Sequence, residues 1–183
     1  MSNSPQTLRR STEDRKESLI DQLGVDNPEA VPQIEKTVVN VGVGDARENV
    51  ERLDLVQEHL ELITAQTPVV TRARKSVADF EIREGDPSGA KVTLRGKRME
   101  DFLHRLVHFA IPMTKEFRGL PRDAFDGNGN YSLGIDEQVV FPEIDYEETE
   151  TIFGMDITIV TTTSDRGEAL TLLNEYGFPF RED

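Results

Sequence analysis

Apolar positions along the chain fall into two rhythms. From Val50 to Ile63 they recur at three- and four-residue steps (Val50, Leu53, Val56 or Gln57, Leu60, Ile63), while Glu51, Asp54, Glu58 and Glu61 fill the other face. That spacing predicts an amphipathic helix over Ala46–Thr64. Three further segments carry the same period. Ser11, three residues before Asp14, opens one as a variant capping box; Leu19, Ile20 and Leu23 form its stripe, and Gly24 ends it. A second runs from Met99 to about Met113, with Phe102, Leu106, Phe109 or Ala110, and Met113 facing inward and Pro112 at its fraying end. In the third, Ser164 is placed to cap a helix that buries Ala169, Leu170, Leu173 and Tyr176 before Gly177 stops it.

Elsewhere the period is two or the run is β-branched, which predicts strands. Ile34–Val43 is one, closed by Gly42 and Gly44 after the breaks at Asn27-Pro28 and Val31-Pro32. Val69–Ala73 is another, with Val69, Thr71 and Ala73 on one side and Val70, Arg72 and Arg74 on the other. In Lys91–Arg95, Val92 and Leu94 face a core while Lys91, Thr93 and Arg95 face away. Two short strands are expected across Tyr131–Val140 and one over Met155–Thr163. Ser76–Gly89, with Gly85, Pro87 and Gly89, reads as a long exposed loop of the kind that is functional or disordered in compact domains. Strands and helices do not alternate regularly, so the fold class is α+β: a mainly antiparallel sheet, helices packed on one face, a long protruding loop, and the other sheet face open. Met1–Arg10 lacks apolar period and reads as a disordered arm, leaving 11–183 as a single α+β domain.

Composition narrows the chemistry. Cysteine is absent, which removes disulfides, thiolate catalysis and zinc-finger or iron–sulfur ligation together. No run approaches the ~20 apolar residues of a membrane span, so no membrane partner is expected, and a cytoplasmic setting is the default. The net charge of -14 argues, as an average, against nucleic acid. Resolved along the chain it says something else. From Arg72 to Arg98 there are eight basic and four acidic residues, a local +4, which leaves -18 for the remainder. Basic residues are mostly Arg (15 against 6 Lys), whose planar fork suits phosphates and base edges. A basic patch on an open sheet and an ordinary solvated hairpin both fit this segment.

Three motifs invite sharper readings that their details weaken. Gly42-Val43-Gly44 stands between a strand and a helix, but Arg47 occupies the position of the third glycine in a dinucleotide fingerprint. Asp126-Gly127-Asn128-Gly129-Asn130 with Glu137 has calcium-loop oxygens, yet Tyr131 stands where glycine is required, and a Gly/Asn turn is the simpler reading. His104 and His108 have zinc spacing without a third ligand or a glutamate base, and read as half-buried helix residues. No catalytic set, metal site or cofactor site emerges; a small nucleotide-binding or enzymatic α+β domain stays as the alternative function.

Collinear motifs change the balance. Val38-Val39-Asn40-Val41-Gly42-Val43-Gly44, Ile63-Thr64-Ala65-Gln66-Thr67-Pro68-Val69-Val70-Thr71, Gly89-Ala90-Lys91-Val92-Thr93-Leu94-Arg95-Gly96, Phe141-Pro142-Glu143-Ile144 and Gly154-Met155-Asp156-Ile157-Thr158 follow one another in order, with Gly177-Phe178-Pro179-Phe180 near the end. In these the chain resembles the large-subunit ribosomal protein L-five family, in its bacterial form, over about Val31–Arg181. The resemblance implies a non-enzymatic ribosomal protein of the central protuberance that binds 5S rRNA and contacts P-site tRNA, with large-subunit rRNA and ribosomal proteins as neighbours. It implies 5S rRNA contacts at Asn40, Gln66, Thr93 and Arg95, with phosphate contacts added by Arg72, Arg74 and Lys75. The loop Ser76–Gly89, including Ser76, Phe80, Arg83 and Gly85, would be the tRNA-facing finger. Met1–Asn27 departs from the family in being acidic where it is usually basic. The acid surplus and Arg bias fit a protein adapted to molar salt, where screening weakens phosphate attraction and hydrogen bonds and shape carry more of the affinity.

Overall fold

The computed structural model describes residues 12–80, 82–115 and 117–181. The expected arm, Met1–Arg10, lies outside them. Helix α1 (Thr12–Leu23) leads into strand β1 (Ile34–Gly42), then α2 (Val50–Thr64), β2 (Val69–Arg72) and β3 (Pro87–Leu94). Helix α3 (Gly96–Arg105) continues through a π turn (Leu106–Ala110) into a last α turn (Ile111–Met113). Strands β4 (Tyr131–Ile135) and β5 (Met155–Thr161) and helix α4 (Arg166–Glu175) complete the chain.

The five strands form one antiparallel sheet in the order β2-β3-β1-β5-β4, which is the α+β architecture expected. Its core face carries Val39, Val41, Ala90, Val92, Leu94, Ile157 and Ile159, all at most 2% exposed. Against it pack Val56, Leu60 and Ile63 of α2, Phe102 and Leu103 of α3, and Leu172 and Leu173 of α4. Among the described residues the helices pack on that side and no helix covers the opposite face.

Several boundaries differ from the periodic reading, each for a local reason. Helix α2 starts at Val50, not Ala46, because Asn49 accepts a hydrogen bond from the Arg52 N–H while 44–48 form turns; Val50 is mostly exposed. Strand β3 begins at Pro87, so the loop is shorter than drawn from sequence. In the helix after Gly96 the π turn advances the face, so that Ala110 is buried while Phe109 and Met113 are exposed. The second short strand across Tyr131–Val140 is instead a 3-10 turn, Gln138–Val140, and β5 stops at Thr161. Asp165, not Ser164, caps α4 by accepting from the Glu168 N–H, and Leu172, not Leu170, is the buried leucine beside Leu173.

Candidate nucleic-acid interface

Alternation along each strand decides what the open face presents, and the register decides which residues become neighbours. Asn40 lies opposite Lys91 on one side and Asp156 on the other; Lys91 in turn faces Val69, and Asp156 faces Gly134. One row therefore crosses all five strands as Val69, Lys91, Asn40, Asp156, Gly134. The adjoining row is Thr93, Val38, Thr158, Ser132. Ser132 and Thr158 hydroxyls lie 3.2 Å apart, as do those of Thr71 and Ser88 at the other edge. The surface thus mixes hydroxyls and an amide with the Lys91 ammonium, the Asp156 carboxylate and the side chains of Val38 and Val69. Lys91 is exposed and has no hydrogen-bond or ion-pair partner among the described residues.

The expected contact residues divide into three groups. Asn40 and Thr93 stand on the open face, as their parity required. Gln66 flanks it: helix α2 ends at Ala65 in the left-handed region (φ 53°), and the Gln66 side-chain amide donates to the Thr93 carbonyl (3.0 Å), a group beyond the paired length of β2. Arg95 follows β3 at the N-cap of α3 and donates through Nη1 to Glu35 Oε1 (3.0 Å). Arg72 departs from the row. Val69 pairs with Lys91 and Thr71 with Gly89, so Val69 and Thr71, and not the outward Arg72 and Arg74 row expected from parity, share the Lys91 face; beyond the register shift Arg72 lies opposite Pro87 and donates to the Gly85 carbonyl (2.9 Å) at the base of the loop. Arg74 and Lys75 follow it into the loop, exposed.

The segment 73–86 folds back on itself. Ala73 exchanges backbone hydrogen bonds with Gly85 and Asp86, and Val77 with Ile82. The Ser76 hydroxyl accepts from the Glu84 N–H (2.9 Å), and Asp86 accepts from the Arg83 N–H (2.8 Å). Gly85, at φ 90°, makes the reversal that a side chain would strain. Of the expected loop residues, Ser76 and Gly85 thus build the finger, while the Arg83 side chain has no partner among the described residues and Phe80 lies in a short 3-10 turn, Ala78–Phe80.

The rival motifs resolve physically. Gly44 is separated from α2 by turns that carry Asp45 and Glu48, carboxylates that disfavour a phosphate there. Asp126 turns its oxygens onto its own loop, accepting from the Asn128 and Asn130 N–H groups and the Asn130 side chain, and the Asn130 bonds hold its carboxyl below the usual range. The rings of His104 and His108 are 4.5 Å apart, and no group of three metal-ligating side chains exists among the described residues. Burial, with His104 and Arg15 adding to it, lowers the His108 pKa. Ser132, Asp156 and Thr158 were not singled out in the sequence; the period-two alternation of their strands signalled their facing, but only pairing brings them to the Asn40 side of the sheet.

The chain is an α+β domain with a mixed polar sheet face on the side away from its helices. Residues 27–83 match the family model described as Ribosomal protein L5, and residues 87–180 the one described as ribosomal L5P family C-terminus. The chain belongs to the ribosomal L5 family: structural, RNA-binding proteins of translation that are cytoplasmic components of the large ribosomal subunit.

Proposed function

We propose that this chain is the 5S rRNA-binding protein of the central protuberance, acting without catalysis as a single domain from residue 11 onward. The supporting observation is the juxtaposition of Asn40, Lys91 and Thr93 on the open face, with Gln66 and Arg95 at its border, in a protein that is elsewhere strongly acidic. Arg72, Arg74 and Lys75 add phosphate contacts along the β2 edge, and the 73–86 hairpin reaches P-site tRNA through the Phe80–Arg83 region. Large-subunit rRNA and neighbouring ribosomal proteins complete its surroundings. Neutral donors and acceptors suit RNA because they pair with 2′-hydroxyls and backbone oxygens without depending on counterion release.

Electrophoretic titration of transcribed 5S rRNA with the wild type, Asn40→Ala and Thr93→Ala tests this reading. Specific binding that each substitution weakens about threefold or more supports it, a hydrogen bond to a charged group being worth about 1.5–3 kcal/mol and a neutral one less. Absent binding, or binding indifferent to both, refutes it. Deleting residues 80–85 should leave 5S rRNA binding intact and reduce tRNA occupancy of reconstituted ribosomes; loss of 5S rRNA binding would refute the division of labour.

A further inference from the structure

Arg95 meets an acidic neighbour at the border of a surface proposed to bind a polyanion. The ion pair with Glu35 is half exposed on both sides, 55% and 48%, so it contributes little to stability. Its geometry is more informative. Strand β1 shifts register between Ile34 and Lys36, an irregularity of the kind that re-aims a side chain, and Glu35 stands at that shift. Arg95 Nη1 reaches both Glu35 Oε1 (3.0 Å) and the Glu35 carbonyl (3.5 Å). Its Nε and Nη2 have no partner among the described residues, which leaves the side-on edge of the guanidinium, two parallel N–H donors, facing away from Glu35. Lys36 Nζ, 3.9 Å from the same carboxylate, is part of the cluster.

We infer that Glu35 is a positioning residue: it holds the Arg95 guanidinium by one nitrogen so that the Nε–Nη2 edge is presented, already oriented, to an RNA phosphate or base edge. This rests on the reading of Arg95 as an RNA contact. Glu35 itself repels phosphate, so charge alone requires that removing it tighten binding. Positioning requires the opposite, because the orientation lost with Glu35 must be restored at the expense of binding free energy: ordering one long side chain costs about 0.5–1.5 kcal/mol, or about twofold to tenfold in affinity.

The test is 5S rRNA binding across a KCl series by wild type, Glu35→Ala, Glu35→Gln, Arg95→Ala and Arg95→Lys, with thermal midpoints recorded for each. Glu35→Ala should bind about threefold to tenfold more weakly at an unchanged midpoint. Glu35→Gln, whose amide oxygen keeps the acceptor, should stay within about twofold of wild type. Arg95→Lys should resemble Arg95→Ala, since an ammonium group lacks the fork. Equal or tighter binding by Glu35→Ala overturns the inference, as does a Glu35→Gln loss as large as that of Glu35→Ala. A silent Arg95→Ala is a different result: it removes Arg95 from the interface and takes the role of Glu35 with it.

Discussion

Gly129 offers a quantitative test of how the edge strand is held. It sits in the turn before β4 at φ 74°, where a Cβ would lie 2.1 Å from the Thr163 carbonyl oxygen and 3.1 Å from its carbon. The Thr161 hydroxyl spans the same gap, 2.9 Å from the Gly129 oxygen and 3.1 Å from that of Thr163. Gly129→Ala therefore meets two costs. The left-handed backbone costs an alanine about 1–2 kcal/mol. Relieving a contact against backbone, which cannot rotate away, costs about 1–3 kcal/mol more. The expected loss is about 2–5 kcal/mol, which for a chain of this length lowers the melting midpoint by about 5–15 °C. Gly127 is the internal control: it shares the turn, but a Cβ there meets nothing within 4 Å and its φ is not in the left-handed range, so Gly127→Ala should change stability by about 0.5 kcal/mol or less. Thermal denaturation followed by circular dichroism gives the two midpoints, and urea denaturation with equal m-values gives the free-energy difference. If Gly129→Ala melts within about 1 °C of Gly127→Ala, the 126–130 turn is not packed against 161–163 and the account of the β4 edge fails.

Two further outcomes follow from the described geometry. Burial pushes the Tyr131 hydroxyl, which donates to the Pro121 carbonyl (2.8 Å), up to about 12. The folded chain keeps a proton that the unfolded chain releases near 10, so stability should fall as pH rises from about 10 to about 12, and Tyr131→Phe should flatten that part of the curve in urea melts; an unchanged slope would refute the assignment. Lys91→Ala should make the plot of log K against log[KCl] for 5S rRNA shallower by nearly one unit, as loss of one phosphate contact requires, whereas Thr93→Ala should weaken binding without changing the slope; equal slopes for Lys91→Ala and wild type would remove Lys91 from the phosphate contacts.

Much of the fold was legible along the chain because burial imposes a local period. Leu53, Val56, Leu60 and Ile63 had to share a helix face, and Val92 and Leu94 had to point away from Thr93, whatever the topology. The family motifs, collinear from about Val31 to Arg181, carried the expected class of protein. What local period cannot contain is where a backbone irregularity intervenes. The π turn at Leu106–Ala110 rotates Phe109 and Met113 into solvent, and the pairing of Val69 with Lys91 puts Thr71 rather than Arg72 on the Lys91 face. Both depend on how the segment meets the rest of the molecule. The same holds for the candidate site. The outward parity of Thr93 and Arg95 was read from the sequence alone and Asn40 entered through the family motifs, but their company was not determined there. Strand order β2-β3-β1-β5-β4 brings Asp156 and Thr158 to residues more than a hundred positions earlier, and the displaced register of β1 brings Glu35 to Arg95. Side-chain period is a property of neighbours in the chain; adjacency across a sheet is settled by long-range backbone pairing, and only the tertiary structure decided it.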